Sequence, residues 1–278
     1  TAMYRAKSEG GGGTLVYVPS MDEGRTWRKR VGNEMRQGIE RNEFDVLYQP
    51  LVDATSAQVI AVEALVRWPG RPAGPLGPDE FIPIAETSGL IHPLGMLVLK
   101  RACTDLADYP AIKLNVNVSP AQFRHPHFER DVAKVLDETG FAPERLQIEI
   151  TEGYLVDNPD RANRVIESFA NMGVRVALDD FGSGFASIGY LRKFPFSGIK
   201  IDKSLASGLG EDPKASLLIS GMVHLANGLD MDVTAEGVET EGQATLLRMA
   251  GCHALQGYLF GRPSPLKDIK AIRVRSAA

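Results

Sequence analysis

The chain has 278 residues, of which 44% are hydrophobic and 24% charged, enough apolar mass for one large core and too much for a disordered chain. Its formal net charge of −4 argues against a surface that coats a nucleic-acid polymer, but admits a small phosphate ligand met by local cations or metal ions. Cys103 and Cys252 are far apart and lack a CxxC spacing, no apolar run approaches the roughly 18 residues of a membrane span, and residues 1–10 lack a signal-peptide core. A reducing, cytoplasmic setting without membrane insertion is expected.

Residues 1–30 read differently from the rest: a short helical scrap, four glycines at 10–13, then the strand-like Thr14 to Val18. Such a piece cannot bury a core of its own and reads as the tail of a preceding domain. A charged helical linker follows through about Gly38, with Asp22 to Arg30 as a solvated face. The main domain is assigned to residues 31–278.

From Asp45 onward, strand-like runs alternate with longer segments of helical period. Strands are expected at Asp45 to Asp53, Gln58 to Trp68, Lys113 to Ser119, Leu146 to Glu152, Val174 to Asp180, Gly198 to Lys203, Asp232 to Val238 and Ala254 to Phe260. Helix patterns fall at Pro78 to Thr87, Leu94 to Asp108, Phe128 to Thr139, Pro159 to Met172 and Pro213 to Gly228. This alternation implies an α/β chain with a parallel sheet, and eight strands over roughly 240 residues match a (β/α)8 TIM-like barrel. Only Ala54 to Ala57 separates the first two strands, and a parallel crossover needs about a dozen residues, so an antiparallel first strand is expected. An open α/β sheet with an N-terminal hairpin is the alternative.

In a parallel barrel the site lies at the carboxyl ends of the strands. There the sequence puts its least burial-tolerant groups: Glu63 and Arg67 in strand two, Asn117 in strand three, Glu149 and Glu152 in strand four, and Asp179 and Asp180 ending strand five. Lys200 and Asp202 share a face of strand six, Glu236 and Glu239 flank the end of strand seven, and Gln256 lies in strand eight. Each alone reads as a solvated edge or local ion pair. Together, carboxylates with an amide oxygen and no thiolate describe a hard-metal site for Mg²⁺, Mn²⁺ or Ca²⁺ rather than zinc. The surplus of carboxylates allows two ions about 3.5–4 Å apart, an arrangement suited to phosphodiester hydrolysis. The five histidines stand outside this ring and are assigned surface or cap roles. No Walker A or Rossmann glycine pattern is followed by the required helix.

The residues then identify a family resemblance. Glu63-Ala64-Leu65 followed by Val66-Arg67-Trp68 resembles the signature of EAL domains, the bacterial cyclic di-GMP phosphodiesterases. So do Tyr48-Gln49-Pro50, Phe81-Ile82-Pro83, Glu149-Ile150-Thr151-Glu152, Asp179-Asp180-Phe181-Gly182, Lys200-Ile201-Asp202, Ala235-Glu236-Gly237-Val238-Glu239 and Gln256-Gly257-Tyr258, in register from about Val31 to Pro263. Upstream, Ala2, Tyr4, Ala6 and Lys7 resemble the end of a GGDEF, or diguanylate cyclase, domain.

The resemblance implies a barrel with an antiparallel first strand and hydrolysis of cyclic di-GMP to linear pGpG with Mg²⁺ or Mn²⁺, Ca²⁺ being inhibitory. By motif, Glu63, Asn117, Glu149 and Asp179 would ligate a first metal, and Asp180 and Glu236 a second. Lys200 would orient water, Gln256 would support the water or second ion, and Glu152 would hold the loop after strand five. Arg67 would grip a phosphate; Gln49, Asp202 and Glu239 are candidates for substrate or supporting contacts. Glu236 as general base is the alternative to Glu236 as ligand. The family loop Asp-Phe-Gly-x-Gly-Tyr-Ser-Ser is replaced after Gly184 by Phe185-Ala186-Ser187, so Ala186 lacks a hydroxyl that could tie the loop to Glu152. A homodimer through this loop and its helix is expected. A receptor that binds cyclic di-GMP without turnover and signals to a partner is the second functional reading.

Overall fold

A computed structural model describes residues 20–151, 159–182, 188–209 and 212–269. Eight strands close a barrel in sequence order: β1 (Asp45–Asp53), β2 (Val59–Arg67), β3 (Lys113–Asn117), β4 (Leu146–Thr151), β5 (Arg175–Phe181), β6 (Gly198–Ile201), β7 (Asp232–Ala235) and β8 (Ala254–Gln256). β1 runs antiparallel to both β2 and β8, and the remaining neighbours are parallel. The hairpin expectation holds for a local reason. Asp53 Oδ1 accepts from the backbone N–H groups of Thr55 (3.1 Å) and Ser56 (2.7 Å), an Asx turn that reverses the chain.

Helix α1 (Ser20–Glu40) crosses the 30/31 junction without interruption. Its residues 28–30 are exposed, whereas Val31 and Met35 are buried and Trp27 and Ile39 pack on the same core at four-residue spacing. The second half of the expected linker is therefore packed against α2 (Pro78–Ser88) and α3 (Ile91–Asp105).

The outer layer continues with α4 (Pro120–Phe123), α5 (Phe128–Thr139), α6 (Pro159–Met172), α7 (Ile188–Lys193), α8 (Lys203–Ser207), α9 (Pro213–Asn227) and α10 (Glu241–Ala250). Each long helix turns an apolar stripe inward: α5 buries Phe128, Val132, Val135 and Leu136, and α6 buries Ala162, Val165, Ile166 and Phe169. The helix entering the barrel wall from β3 is fixed by a capping box. Ser119 accepts from Ala121 and Gln122 N–H, and Gln122 Oε1 accepts from Ser119 N–H.

Four expected strands end early: β3 stops at Asn117, β6 at Ile201, β7 at Ala235 and β8 at Gln256, where the chain leaves the ladder. Among the described residues no helix is long and apolar enough to cross a membrane.

Candidate active site

Strand register sets which polar groups meet. Gln49 pairs with Glu63 across β1 and β2, Glu63 with Asn115 across β2 and β3, and Asn117 with Glu149 across β3 and β4. Lys200 opens the next side, in register with Thr234 of β7. These side chains face the barrel interior near its carboxyl end.

The Lys200 ammonium is their hub. It donates to Glu149 Oε2 at 2.7 Å and Glu236 Oε1 at 2.5 Å, with Asp179 Oδ1 at 3.5 Å and Glu63 Oε2 at 3.6 Å. Glu149 also accepts from Asn115 Nδ2 at 2.7 Å. Glu63 accepts from Gln256 Nε2 at 2.5 Å and from the Asn117 amide, while Gln256 Nε2 also lies 3.4 Å from Gln49 Oε1. The shared strand face of Lys200 and Asp202 is overturned: Asp202 is not on β6 but caps α8 by accepting from Ser204 N–H at 2.9 Å.

The adjacent acids are positioned by backbone geometry. Asp180 has φ 55 and Gly182 φ 95, so β5 curls immediately after Asp179. A Cβ on Gly182 would meet only the movable tips Leu205 Cδ1 at 2.7 Å and Met222 Cε at 2.8 Å, so it is the left-handed conformation that calls for glycine here. Glu236 sits one residue past β7, held by its N–H donating to Ile201 O at 3.1 Å. At the end of β8, a Cβ on Gly257 would lie 2.0 Å from Val238 O, and this close approach keeps Gln256 in the ring.

Burial and like charge dominate the electrostatics. Burial, reinforced by Glu63 and Asp179 and opposed by Lys200, pushes the Glu149 carboxyl up to about 8; burial with Asp179 and Glu63 pushes Glu236 up to about 7. Burial also opposes ionisation of Glu63, but Lys200 and the two amide donors outweigh it and hold that group below the usual range. Asp180 is raised by burial and then by Asp179 and Asp202. For Lys200, burial is outweighed by Glu149, Glu63, Glu236 and Asp179, which hold it charged. Four carboxylates thus surround one ammonium, so further cations are needed to neutralise them.

The donor set fits a hard divalent ion. Asp179, Asp180 and Glu236 each bring a carboxylate oxygen within 4.8 Å of the others, and the buried Gln256 Oε1 has no hydrogen-bond partner among the described residues.

Two adjoining cavities open here. One, of about 390 Å³, is lined by Gln49, Glu63, Asn117, Asp179, Glu236 and Gln256, with Glu239 and Tyr258 at its edge. The other, about 350 Å³ and more apolar, lies between β2, β3 and α2–α3, and contains Arg67, Glu86, Ile82, Val118 and Gln122. Asn117 borders both. Arg67 is therefore in the apolar cavity and not with Glu63, and its guanidinium donates to Val66 O at 2.8 Å. Glu239 is exposed, and its N–H donates to Gln243. Glu152 and Ala186 lie outside the described residues.

Asn115 was not among the residues singled out from sequence, although its alternation with Asn117 along β3 marks it as a buried polar position. The surface or cap assignment also fails for His92, which is partly buried, stacks on His125 at 3.6 Å between ring centroids, and pairs with Asp131 at 3.0 Å. His253 Nδ1 accepts from Val233 N–H at 3.0 Å, a contact internal to the barrel wall.

The EAL domain family model matches residues 32–263. An uncharacterized signaling protein of Caulobacter vibrioides is 42% identical over 266 residues, covering 95% of this chain and 33% of that protein. The bifunctional diguanylate cyclase/cyclic di-GMP phosphodiesterase MucR of Pseudomonas aeruginosa is 35% identical over 97% of this chain, which spans 40% of that protein. A solved structure of the PaMucR phosphodiesterase in complex with c-di-GMP superposes with a TM-score of 0.81 at 35% identity, covering 86% of this chain and 99% of that one.

Proposed function

From the premise that this chain belongs to the EAL domain family, we propose that its barrel mouth binds cyclic di-GMP and hydrolyses one phosphodiester bond to give linear pGpG. The observation that carries this reading is the cluster of Asp179, Asp180 and Glu236 oxygens beside the Lys200–Glu149 pair, at the floor of a cavity. Glu63, Asn117, Glu149 and Asp179 would hold one Mg²⁺ or Mn²⁺, and Asp180 and Glu236 a second. Such ions, when bound, supply charge neutralisation of the phosphodiester and a lowered pKa for water.

The chain's own residues do the rest. In the reaction a water oxygen forms a bond to phosphorus as the bond to the leaving ribose oxygen breaks. The attacking water loses a proton and the leaving oxygen gains one. If Glu236 is not a ligand of the second ion, its carboxyl, raised to about 7 in the metal-free chain by burial and by Asp179 and Glu63, is suited to take the first proton; as a ligand it is not. Lys200, held charged, orients water and offsets negative charge developing on phosphorus. Arg67 and the apolar cavity wall are suited to a phosphate and the base attached to it.

The homodimer is proposed through the loop after β5 and helix α7, residues 183–187 of that loop lying outside the described residues; Leu217 at 74% and Met249 at 79% accessible give α9 and α10 a separate exposed apolar surface. An upstream GGDEF-like domain is proposed from residues 1–7.

Incubating the chain with cyclic di-GMP and Mg²⁺ while following pGpG by chromatography tests the reading. Product is expected with Mg²⁺ or Mn²⁺ and none in excess chelator. Tight binding without product would replace it with the receptor reading.

A further inference from the structure

Away from the acid ring, three side chains that sequence places on separate elements converge: His92 in the first turn of α3, His125 after α4, and Asp131 in the first turn of α5. Each offers a ligand atom within 4.8 Å of the others. His92 Nε2 lies 3.0 Å from Asp131 Oδ2, and the His92 and His125 rings are stacked with centroids 3.6 Å apart and planes 17° from parallel. The Nδ1 atoms of both rings are buried and have no hydrogen-bond partner among the described residues. A buried imidazole nitrogen without a partner forgoes a hydrogen bond worth about 0.5–1.5 kcal/mol, and a metal ion that accepts its lone pair would offset that loss.

We propose that His92, His125 and Asp131 form a second metal site, for a borderline transition-metal ion of the Zn²⁺ or Ni²⁺ class, distinct in chemistry from the all-oxygen ring. Imidazole nitrogen with one carboxylate favours such ions, whereas Mg²⁺ prefers oxygen. In this arrangement the two Nδ1 atoms are ligands. Asp131 Oδ2 accepts the Nε2–H of His92 and orients that ring, a common arrangement behind a metal-bound histidine. The other carboxylate oxygen of Asp131 faces Arg130 at 3.4 Å, leaving Oδ2 for the site. Lone pairs of stacked rings lie in two separate planes 17° from parallel, so binding one ion requires an imidazole to turn about its side-chain bonds. Both rings are only partly buried, which permits that rotation.

The site would brace the apolar cavity. Ile91, immediately before His92, lines it, and so do Ser119 and Gln122; His125 N–H donates to Gln122 O at 2.9 Å. Arg161 donates to His125 O at 3.1 Å, tying the same segment to α6. An ion bridging His92 and His125 therefore links the start of α3 to the α4–α5 connection across the back of the cavity wall.

Ni²⁺ titration by calorimetry in excess Mg²⁺ tests the proposal. The parent chain should bind about one equivalent more than a His92→Gln/His125→Gln variant, and Ni²⁺ should raise the melting temperature of the parent more than that of the variant. Asp179→Asn should keep the difference, because that residue belongs to the acid ring. Equal Ni²⁺ stoichiometry in the parent and the histidine variant would overturn the site. If the double variant does not fold, paramagnetic broadening in the parent chain decides. Early loss of the His92 and His125 ring resonances supports the site; broadening confined to residues around Asp179 and Asp180 refutes it.

Discussion

Lys200 Nζ lies 2.7 Å from Glu149 Oε2, and neither side chain has more than 1% of its surface exposed. A buried ammonium among these acids is costly to form and more costly to remove, since its loss strands the ionised Glu63 in a low-dielectric interior. Lys200 therefore holds the acid ring together as well as serving chemistry.

Lys200→Ala should accordingly lower both stability and rate. Loss of the buried cation is expected to destabilise the fold by about 3–5 kcal/mol, read as a shift in the urea midpoint. In the fraction that remains folded, kcat should fall far more than affinity for cyclic di-GMP, because the ammonium meets developing charge only in the transition state. An unchanged urea midpoint would contradict the buried hub. Equal losses in kcat and affinity would make Lys200 a substrate-binding group.

The raised carboxylates give a pH signature in the metal-free chain. Glu149 at about 8 and Glu236 at about 7 bind protons more tightly folded than unfolded, where the carboxyl value is 4.5. Their contribution is thus fully present below pH 4.5 and lost as pH rises through 7 and 8. Lys200, raised above 10.5, keeps its contribution across this whole window. In chelator, the melting temperature should fall from about pH 4.5 to about pH 8 and level off above it, and added Mg²⁺ should restore more of it at the alkaline end. A flat profile in chelator would mean the acids are not crowded.

How far this arrangement was readable in the sequence differs by element. The β1–β2 hairpin was legible, because four residues cannot span a parallel crossover. The ring members on strands were legible from charge in apolar runs. Asp179 beside Lys200 was legible from the adjacency of strands five and six, but Glu63 and Glu149 were not: closure brings β6 across the barrel from β2 and within reach of β4, and no linear spacing encodes that distance. The same reason hid Asp202, since Lys-Ile-Asp alternates like a strand although the chain turns into α8 at Asp202. His92 and His125 meet only because α3 packs on α5, a helix-to-helix contact invisible to strand periodicity.

Gly182→Ala tests the turn that presents Asp179 and Asp180. The residue has φ 95, so the substitution strains the backbone, while the side-chain tips of Leu205 and Met222 shift to admit the methyl. A loss on the order of 1–3 kcal/mol is expected, with weakened Mg²⁺ dependence of turnover as the acids move apart. Wild-type stability and metal response would show that the turn relaxes freely.

Arg67→Ala separates substrate grip from chemistry. Arg67 lines the apolar cavity, away from the Lys200 hub, so its loss should leave the acid ring and the melting temperature nearly unchanged. A charged hydrogen bond to a phosphate is worth about 1.5–3 kcal/mol, which corresponds to roughly a tenfold to hundredfold rise in KM with a smaller change in kcat. Cyclic di-GMP affinity measured directly in Ca²⁺, where turnover is expected to be inhibited, should weaken by the same factor. If kcat instead collapses while affinity holds, Arg67 acts on the transition state, and the apolar cavity is part of the reacting centre rather than a grip beside it.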